Sequence, residues 1–392
     1  MDYEKGLTRD EVLELLKDLV RIESITGNES RIAAFICDYF KNLGLEPQVF
    51  DTESDGYPFS VRIEGKERSS IAFVGHIDTV DVKGQDWIHD PFGSEVEGEL
   101  MYGRGSSDMK SGLACMIATA AWFKKNSIIP DKSLIFAFTN EEEKGYKGAR
   151  KLTEEGVFDD CELVIIPEPT EGKICIGQKG QLWIDVVFTG KAAHAALPET
   201  GINAAVAASD FAVMVTEACS RFDYKKGLGR TTGSVDEVHG GWQINVVPNV
   251  AKVGVDFRVV DEADHDTALA MTSEVSRAIC EKWGVKSAIN IRQYVAPVVS
   301  DIENELVKRF IDSKESDKTE TDKLSIVAYS TDGSVIIPAY KVPLIVYGPG
   351  SISKAHQQEE CLVIGTVFEV LDRLIGFLSP DVNGIDRPIK EC

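Results

Sequence analysis

The 392-residue sequence has little positive charge and no long apolar segment. It has 42 lysines and arginines and 64 aspartates and glutamates, so the formal net charge is −22. This balance argues against a nucleic-acid partner, because few cations are left to neutralise phosphates. No apolar run approaches the roughly 18 residues that a membrane helix needs, and the first residues lack the pattern of a signal peptide. We therefore expect a cytoplasmic protein with small-molecule partners and no membrane association.

Closely spaced cysteine pairs are also missing. The eight cysteines form no Cys-x-x-Cys pair, and scattered cysteines of this kind are typical of reduced thiols in a cytosolic enzyme. A thiolate zinc site or a nucleophilic cysteine is the less favoured alternative. Histidine is scarce, with six in the chain, so each one can be weighed individually.

Short apolar runs alternate with helical patterns over most of the chain. The runs lie at 71–74, 134–138, 163–166 and 342–347, and amphipathic stretches near 29–43, 111–125 and 359–378 predict helices before, between and after them. Buried strands that alternate with helices indicate an α/β domain with a mainly parallel sheet.

Residues 177–292 have a different pattern. Val253, Val255, Phe257 and Val259 alternate with polar residues or glycine, as in a sheet with one solvated face. Helical patterns near 203–217 and 264–283 lie among such strands. The sequence therefore predicts an α/β domain formed by 1–176 and 293–392, interrupted by a smaller α+β domain at 177–292.

Potential metal ligands follow the predicted parallel strands. Ligands of open α/β sheets bind beyond the carboxyl ends of the strands, and a mixture of imidazole and carboxylate suits zinc or another first-row ion. Two divalent ions would balance three carboxylates and one hydroxide, whereas without metal the carboxylates would repel one another. The side chains in question are His76 and Asp78, Glu141 and Glu142, Glu168, His356, and Asp108 in a turn before a helix.

Several of these segments together resemble the acetylornithine deacetylase / succinyl-diaminopimelate desuccinylase family, which also contains glutamate carboxypeptidases and aminoacylases. The resemblance covers essentially the whole chain. It implies a zinc-exopeptidase-like catalytic domain with two divalent metal ions, zinc first and cobalt or manganese as alternatives, and an inserted lid domain that usually forms a homodimer. The segments are 75–80 (GHIDTV), 103–110 (GRGSSDMK), 141–142 (EE), 167–170 (PEPT) and 356–357 (HQ).

The resemblance also implies a role for each of these side chains. Asp108 would bridge the two ions, His76 and Glu168 would complete one site, and Glu142 and His356 the other. Asp78 would hold the ring of His76, and Glu141 would be the general base. A cis peptide bond is expected after Asp108.

Four residues of the inserted domain are implied to face the substrate. The segment 192–198 (AAHAALP) resembles the family's lid segment, in which the histidine, here His194, donates to the tetrahedral oxyanion, often from the partner subunit. Asn245 would assist it. Lys179 and Arg258 would bind a substrate carboxylate, with an ordinary surface cation as the alternative for each.

The predicted function is therefore hydrolysis of the amide bond of an N-acyl amino acid or short peptide with a free carboxylate, through a metal-bridging water. A dipeptidase or tripeptidase of the same family is the alternative within the enzyme class. Glu168 stands where dipeptidase-like relatives commonly carry aspartate, which favours the deacylase and carboxypeptidase side. An inactive dimer that only binds a ligand is the third possibility, and the intact set of ligands and base argues against it.

Overall fold

The computed structural model describes residues 7–313 and 324–379, and the chain divides into two compact units. The larger unit comprises residues 1–177, 299–325 and 331–392, and the inserted unit comprises 178–298 and 326–330. The inserted unit thus extends beyond the predicted range of 177–292, because its last long strand continues to Val295. Cys392, the eighth cysteine, lies outside the described residues.

The described residues contain the following elements. The helices are α1 (Arg9–Arg21), α2 (Ser30–Asn42), α3 (Lys110–Asn126), α4 (Lys147–Glu154), α5 (Ala204–Cys219), α6 (Glu262–Trp283), α7 (Glu305–Asp312), α8 (Gly333–Tyr340) and α9 (Ile364–Leu378). The strands are β1 (Gln48–Val49), β2 (Phe59–Ile63), β3 (Glu67–His76), β4 (Val96–Glu97), β5 (Leu100–Tyr102), β6 (Lys132–Thr139), β7 (Cys161–Pro169), β8 (Cys175–Gln178), β9 (Gly180–Thr189), β10 (Ala193–His194), β11 (Tyr224–Lys225), β12 (Gly229–Arg230), β13 (Thr232–Gly240), β14 (Val246–Val247), β15 (Val250–Val259), β16 (Lys286–Val295), β17 (Val298–Val299), β18 (Ser325–Val327), β19 (Leu344–Gly348) and β20 (Cys361–Val363).

The main sheet has a parallel centre. Its strand order is β1-β2-β6-β3-β7-β19-β8-β17, with β18 paired to β8. The neighbours β6, β3, β7 and β19 are parallel, while β1, β2 and β8 pair antiparallel. These four parallel strands contain the four apolar runs of the sequence, so the predicted α/β class with a mainly parallel sheet is confirmed.

Helices cover both faces of this sheet. Every residue from Ser70 to Thr79 is buried, which requires packing on both sides of β3. One group of helices, α1, α3 and α9, packs together, and α4 packs with α8. Helix α1 begins at a capping box, in which Thr8 and Glu11 each accept a hydrogen bond from the other's backbone N–H.

The inserted unit is an antiparallel sheet with two helices. Its order is β13-β15-β9-β16, and the alternating residues of β15 predicted to face a core are buried together with side chains of α5 and α6. The opposite face carries the polar residues of the same strands. Alternation of period two thus locates the core of this unit correctly, because successive side chains of a strand point to opposite faces.

No helix of the described ranges is both long and apolar enough to cross a membrane.

One carboxyl group is buried at the start of α2. Glu29 is fully buried, and its Oε1 accepts a hydrogen bond from the Gly27 N–H at 2.8 Å. Burial raises the pKa of Glu29 to about 7. The folded chain therefore holds a proton on Glu29 at pH values where the unfolded chain has released it, so stability falls as the pH rises from about 5 through about 7.

We expect Glu29→Gln to stabilise the metal-free protein at about pH 8 more than at about pH 5. The gap between 4.5 and about 7 corresponds to about 3 kcal/mol at most, since one pKa unit corresponds to about 1.4 kcal/mol. Urea unfolding at the two pH values measures the difference. The exposed Glu46 offers a control in Glu46→Gln, and equal effects of Glu29→Gln at both pH values would contradict the prediction.

Candidate metal centre

Three buried side chains meet at the carboxyl edge of the main sheet. His76 ends β3, Glu168 lies at the end of β7, and Asp108 lies in the turn before α3. The Nε2 atom of His76 is 3.1 Å from Asp108 Oδ1 and 3.5 Å from Glu168 Oε1. Their ligand atoms lie within 4.8 Å of one another, a spacing that one cation could bridge. This is the first cluster.

A second cluster shares Asp108. The Nε2 atom of His356 lies 3.3 Å from Asp108 Oδ2 and 2.9 Å from Glu143 Oε1, and these three side chains again place ligand atoms within 4.8 Å. Asp108 therefore offers one carboxylate oxygen to each cluster. The side chain of His356 is 50% exposed, so the second cluster is the more accessible one.

The structure brings Glu143, not the predicted Glu142, to His356. Glu141, the predicted base, instead binds Ser54 Oγ, with Lys147 Nζ at 3.4 Å. Glu141 has a positive φ of 52°, and a 3₁₀ turn, Glu142–Lys144, follows it. Successive residues of such a turn rotate by about 120°, so the three glutamates point in different directions. Because the three glutamates are adjacent and chemically identical, the sequence pattern does not indicate which of them faces His356.

Asp78 holds the ends of β3 and β6 together. Its carboxylate accepts hydrogen bonds from the backbone N–H groups of Glu142 at 3.1 Å and Glu143 at 3.3 Å, and from Thr26 Oγ1 at 2.9 Å. Its backbone oxygen lies 3.0 Å from Nδ1 of His76. With Nδ1 engaged, Nε2 of His76 is left to face Asp108 and Glu168.

Glu360 fixes the turn that carries Asp108, and sequence reasoning missed it. Its Oε1 accepts from the backbone N–H groups of Ser107 at 2.9 Å and Asp108 at 3.0 Å, and its Oε2 lies 2.5 Å from Arg104 Nη1. Both side chains of the pair are buried. In the sequence, Glu360 is marked only by its place directly after Glu359. Its hydrogen-bond partners lie some 250 positions earlier in the chain. The peptide bond after Asp108 is cis, as expected.

Glycines allow the loops of the centre to approach closely. A Cβ on Gly350 would lie 1.9 Å from the backbone oxygen of Ser107, and one on Gly112 would lie 2.0 Å from that of Pro167. Real Cβ atoms are never this close to an oxygen, so only glycine lets the turn before α3, the end of β7 and the segment after β19 converge.

Burial and hydrogen bonds shift the pKa values of the groups in the centre, several of them upward and that of one carboxyl group downward. Burial raises the pKa of Glu142 and Glu168 well above the usual range. Hydrogen bonds to Asp108 and Glu143 raise the pKa of His356 to about 10. Burial opposes the charge of Asp108, but hydrogen bonds from His356 and His76 lower its pKa. In the chain alone, the imidazoles thus act as the counter-charges of the carboxylates.

The donor set fits divalent cations. Asp108, Glu143 and Glu168 surround two imidazole nitrogens, and two further carboxyls, Glu142 and Asp332, lie buried beside them. Oδ2 of Asp332 lies 2.5 Å from Thr139 Oγ1, while its Oδ1 is buried and has no hydrogen-bond partner among the described residues. So many buried acids at one point are unfavourable unless positive charge compensates them.

The four predicted substrate residues all lie in the inserted unit. Nδ1 of His194 accepts from the Ala196 N–H at 3.1 Å, which places the proton of the neutral ring on Nε2. Asn245 is exposed, and its backbone oxygen accepts from the Ala195 N–H. Arg258 already pairs with Asp256 at 3.0 Å, whereas the buried Lys179 donates to the backbone oxygen of Arg230 at 2.6 Å.

The fold and the two clusters are those of a metal-dependent hydrolase, and comparison with known proteins identifies the family. Residues 72–378 match the sequence model of peptidase family M20/M25/M40. The chain belongs to this family, and both the predicted resemblance and the prediction of a metal-dependent hydrolase are confirmed.

Similar sequences cover nearly the whole chain. A probable succinyl-diaminopimelate desuccinylase of Staphylococcus aureus (strain Mu50) is 28% identical over 385 residues, covering 90% of this chain and 95% of the relative. A peptidase M20 domain-containing protein of Schizosaccharomyces pombe is 28% identical over 374 residues, covering 93% and 83%.

Solved structures share the fold. A tripeptidase of Staphylococcus aureus superposes with a TM-score of 0.78 at 22% identity, covering 95% of this chain and 98% of that one. The YXEP protein of Bacillus subtilis, described as a dinuclear metal-binding peptidase of family M20, gives a TM-score of 0.71 at 16% identity, covering 94% and 97%.

We expect zinc to raise the unfolding temperature of the metal-free protein, and Glu168→Gln to shrink that response. Without metal at about pH 8 the same variant should be more stable than the unaltered chain, because burial raises the pKa of Glu168 and glutamine removes the cost of ionising it. A ligand at a hundred times its Kd adds about 2.7 kcal/mol, which thermal unfolding with and without a chelator readily measures.

The exposed Glu154 supplies the control variant, Glu154→Gln, which should respond to zinc as the unaltered chain does. An unfolding temperature that zinc leaves unchanged would contradict the presence of a metal site.

Proposed function

We propose that this chain is a dizinc hydrolase that cleaves the amide bond of an N-acyl amino acid or short peptide with a free carboxylate. The observation that carries the proposal is the pair of ligand clusters that share Asp108, each with one imidazole nitrogen and one further carboxylate. Cobalt or manganese could replace zinc in such a mixed imidazole and carboxylate site.

We assign His76, Asp108 and Glu168 to one ion, and Asp108, Glu143 and His356 to the other. Glu143 takes the place that the sequence prediction gave to Glu142. When bound, the two ions supply an activated water and a Lewis acid for the carbonyl oxygen. Asp78 orients His76 through its backbone oxygen and holds Glu143 through the backbone N–H, so it positions a ligand of each site.

We propose Glu142 rather than Glu141 as the general base. Glu142 is buried and close enough to His76 and Glu168 for their charges to affect its pKa, yet it belongs to neither ligand cluster. A carboxyl whose pKa burial raises is a stronger proton acceptor once it is ionised, and it can take a proton from water and deliver it to the departing amine. The carboxylate of Glu141 is engaged by Ser54 and Lys147, so it is less suited to this proton transfer.

Glu142→Gln should lower kcat by about 10²–10⁴-fold while zinc stoichiometry stays at two. Glu141→Gln is the matched control, and we expect it to lose less than about tenfold, since general acid–base catalysis is spared. Steady-state kinetics together with metal analysis of both variants measure this. If Glu141→Gln were the inactive variant, the base assignment would be wrong.

For the substrate, we propose that Lys179 binds the free carboxylate and that His194, with Asn245, donates to the developing oxyanion. Lys179 forms no ion pair among the described residues, and its ammonium donates to the backbone oxygen of Arg230, which leaves further N–H groups for an anion. Arg258 is the weaker candidate, because Asp256 already engages its guanidinium. The donor proton that His194 needs is on Nε2, the nitrogen that Ala196 leaves free.

The alternative is a dipeptidase or tripeptidase. The solved tripeptidase and the aminopeptidase PepT of Bacillus cereus share the fold, but at these identities the likeness speaks for the fold alone. The relatives named succinyl-diaminopimelate desuccinylase, at 28% identity, support hydrolysis of an N-acyl amino acid. A ligand-binding dimer without activity remains the third candidate.

A hydrolysis panel separates these candidates. We expect the zinc-loaded chain to hydrolyse an N-acetyl, N-succinyl or N-formyl amino acid faster than any dipeptide or tripeptide. Lys179→Met should raise KM with a smaller change in kcat, because the lost contact serves ground state and transition state alike. Faster cleavage of peptides would favour the peptidase, and no cleavage with both ions bound would favour the binding protein.

We also propose a homodimer formed through the inserted unit and a cytoplasmic location. Strand β13 ends its sheet, and an edge strand is a ready site for pairing with a second copy. The seven cysteines of the described residues are free, in keeping with a reducing compartment. Light scattering of the purified chain tests the dimer, and a monomer would exclude it.

A further inference from the structure

Two loops of the larger unit are fastened to each other beside the second ligand cluster. One loop, residues 85–89, follows β3, and the other, residues 356–360, carries His356. Gln85 Nε2 donates to the backbone oxygen of His356 at 3.3 Å, and Gln358 Nε2 donates to that of Asp86. These bonds join segments 271 positions apart, so the position of His356 depends on a loop that contains no ligand.

The central contact between the loops is made by His89 and Glu359. Glu359 Oε1 accepts a hydrogen bond from the Ile88 backbone N–H at 2.5 Å. Glu359 Oε2 lies 2.5 Å from Nδ1 of His89. The ring of His89 stacks on Tyr102, with centroids 3.9 Å apart, and its Nε2 is 3.3 Å from Glu97. Both nitrogens and one face of the imidazole are therefore occupied, and the ring is fixed in place.

The loop that carries His356 needs such a support. His356 and Glu359 both have left-handed backbone conformations, with φ of 61° and 57°. Such a conformation costs a residue other than glycine about 1 kcal/mol or more and persists only where surrounding contacts hold it. The contacts of Glu359 with Ile88 and His89 supply this hold three residues after His356.

We propose that His89 is a positioning residue for the second metal site, acting through Glu359 on the loop that presents His356. This rests on the proposed function, because it requires a metal ion at Asp108, Glu143 and His356. His89 itself binds neither ion and touches no substrate in this proposal. Its loss is expected to weaken the second site and to spare the first, which shares Asp108 with the second but has its other ligands, His76 and Glu168, on β3 and β7.

Zinc binding to the metal-free full-length chain, measured in competition with a chromophoric chelator, tests the proposal. His89→Phe keeps a ring against Tyr102 but removes both nitrogens, and it should weaken one of the two zinc ions by about tenfold or more, as lost outer contacts of a metal site do. The other ion should bind as before. His89→Asn returns an amide nitrogen to the position of Nδ1 and should restore most of the affinity.

Two further variants isolate the contact. Glu359→Gln should weaken the same ion, and the double variant with His89→Phe should be no worse than the more affected single variant, because both remove one interaction. His239→Phe, at an exposed histidine of the inserted unit, is the control and should bind both ions normally. Circular dichroism of the metal-free variants identifies any that fail to fold, and Glu359→Gln then carries the test.

The outcomes separate this inference from the proposed function. If the unaltered chain binds two zinc ions and both His89→Phe and Glu359→Gln match it, the positioning role is overturned while the dizinc site stands. If both ions weaken equally in His89→Phe, the effect is a general one and the role is likewise overturned. If the unaltered chain binds fewer than two ions, the proposed function itself fails.

Discussion

The burial of several carboxyl groups close together is the constraint on which this structure depends. Asp108, Glu142, Glu143, Glu168 and Asp332 all lie at one edge of the main sheet, four of them fully buried and Glu143 nearly so. Burial is the largest cause that raises the pKa of Glu142, Glu143, Glu168 and Asp332, and neighbouring carboxylates add to it, whereas the imidazoles oppose it. Divalent cations bound at this edge would relieve that electrostatic cost, so stability and the proposed chemistry would depend on the same ions.

Much of the centre is organised by acids that do not belong to either cluster. Asp78 and Glu360 accept backbone N–H groups and thereby fix the turns that carry Glu143 and Asp108. Backbone N–H groups stabilise a buried carboxylate without adding a charge, and Glu360 is paired with Arg104 as well. These hydrogen bonds define the geometry of the loops, with glycines where two backbones come closest.

The two units carry different groups of the residues to which we assign a function. The larger unit contains every ligand and the proposed base, on strand ends and turns that many hydrogen bonds fix. The inserted unit has its own antiparallel sheet and core and carries the four residues proposed for the substrate, of which Lys179 is buried.

The sequence by itself determined the parallel strands, the alternating pattern of the inserted unit, and His76, Asp108, Glu168 and His356 as neighbours, because apolar periodicity and strand ends are local features. The tertiary structure decided what depends on side-chain direction. Whether Glu142 or Glu143 faces His356 follows from the backbone at Glu141, where one positive φ turns three chemically identical residues to different sides. Glu360 and His89 gain their partners only when loops distant along the chain meet, and no local pattern of residues encodes such a meeting.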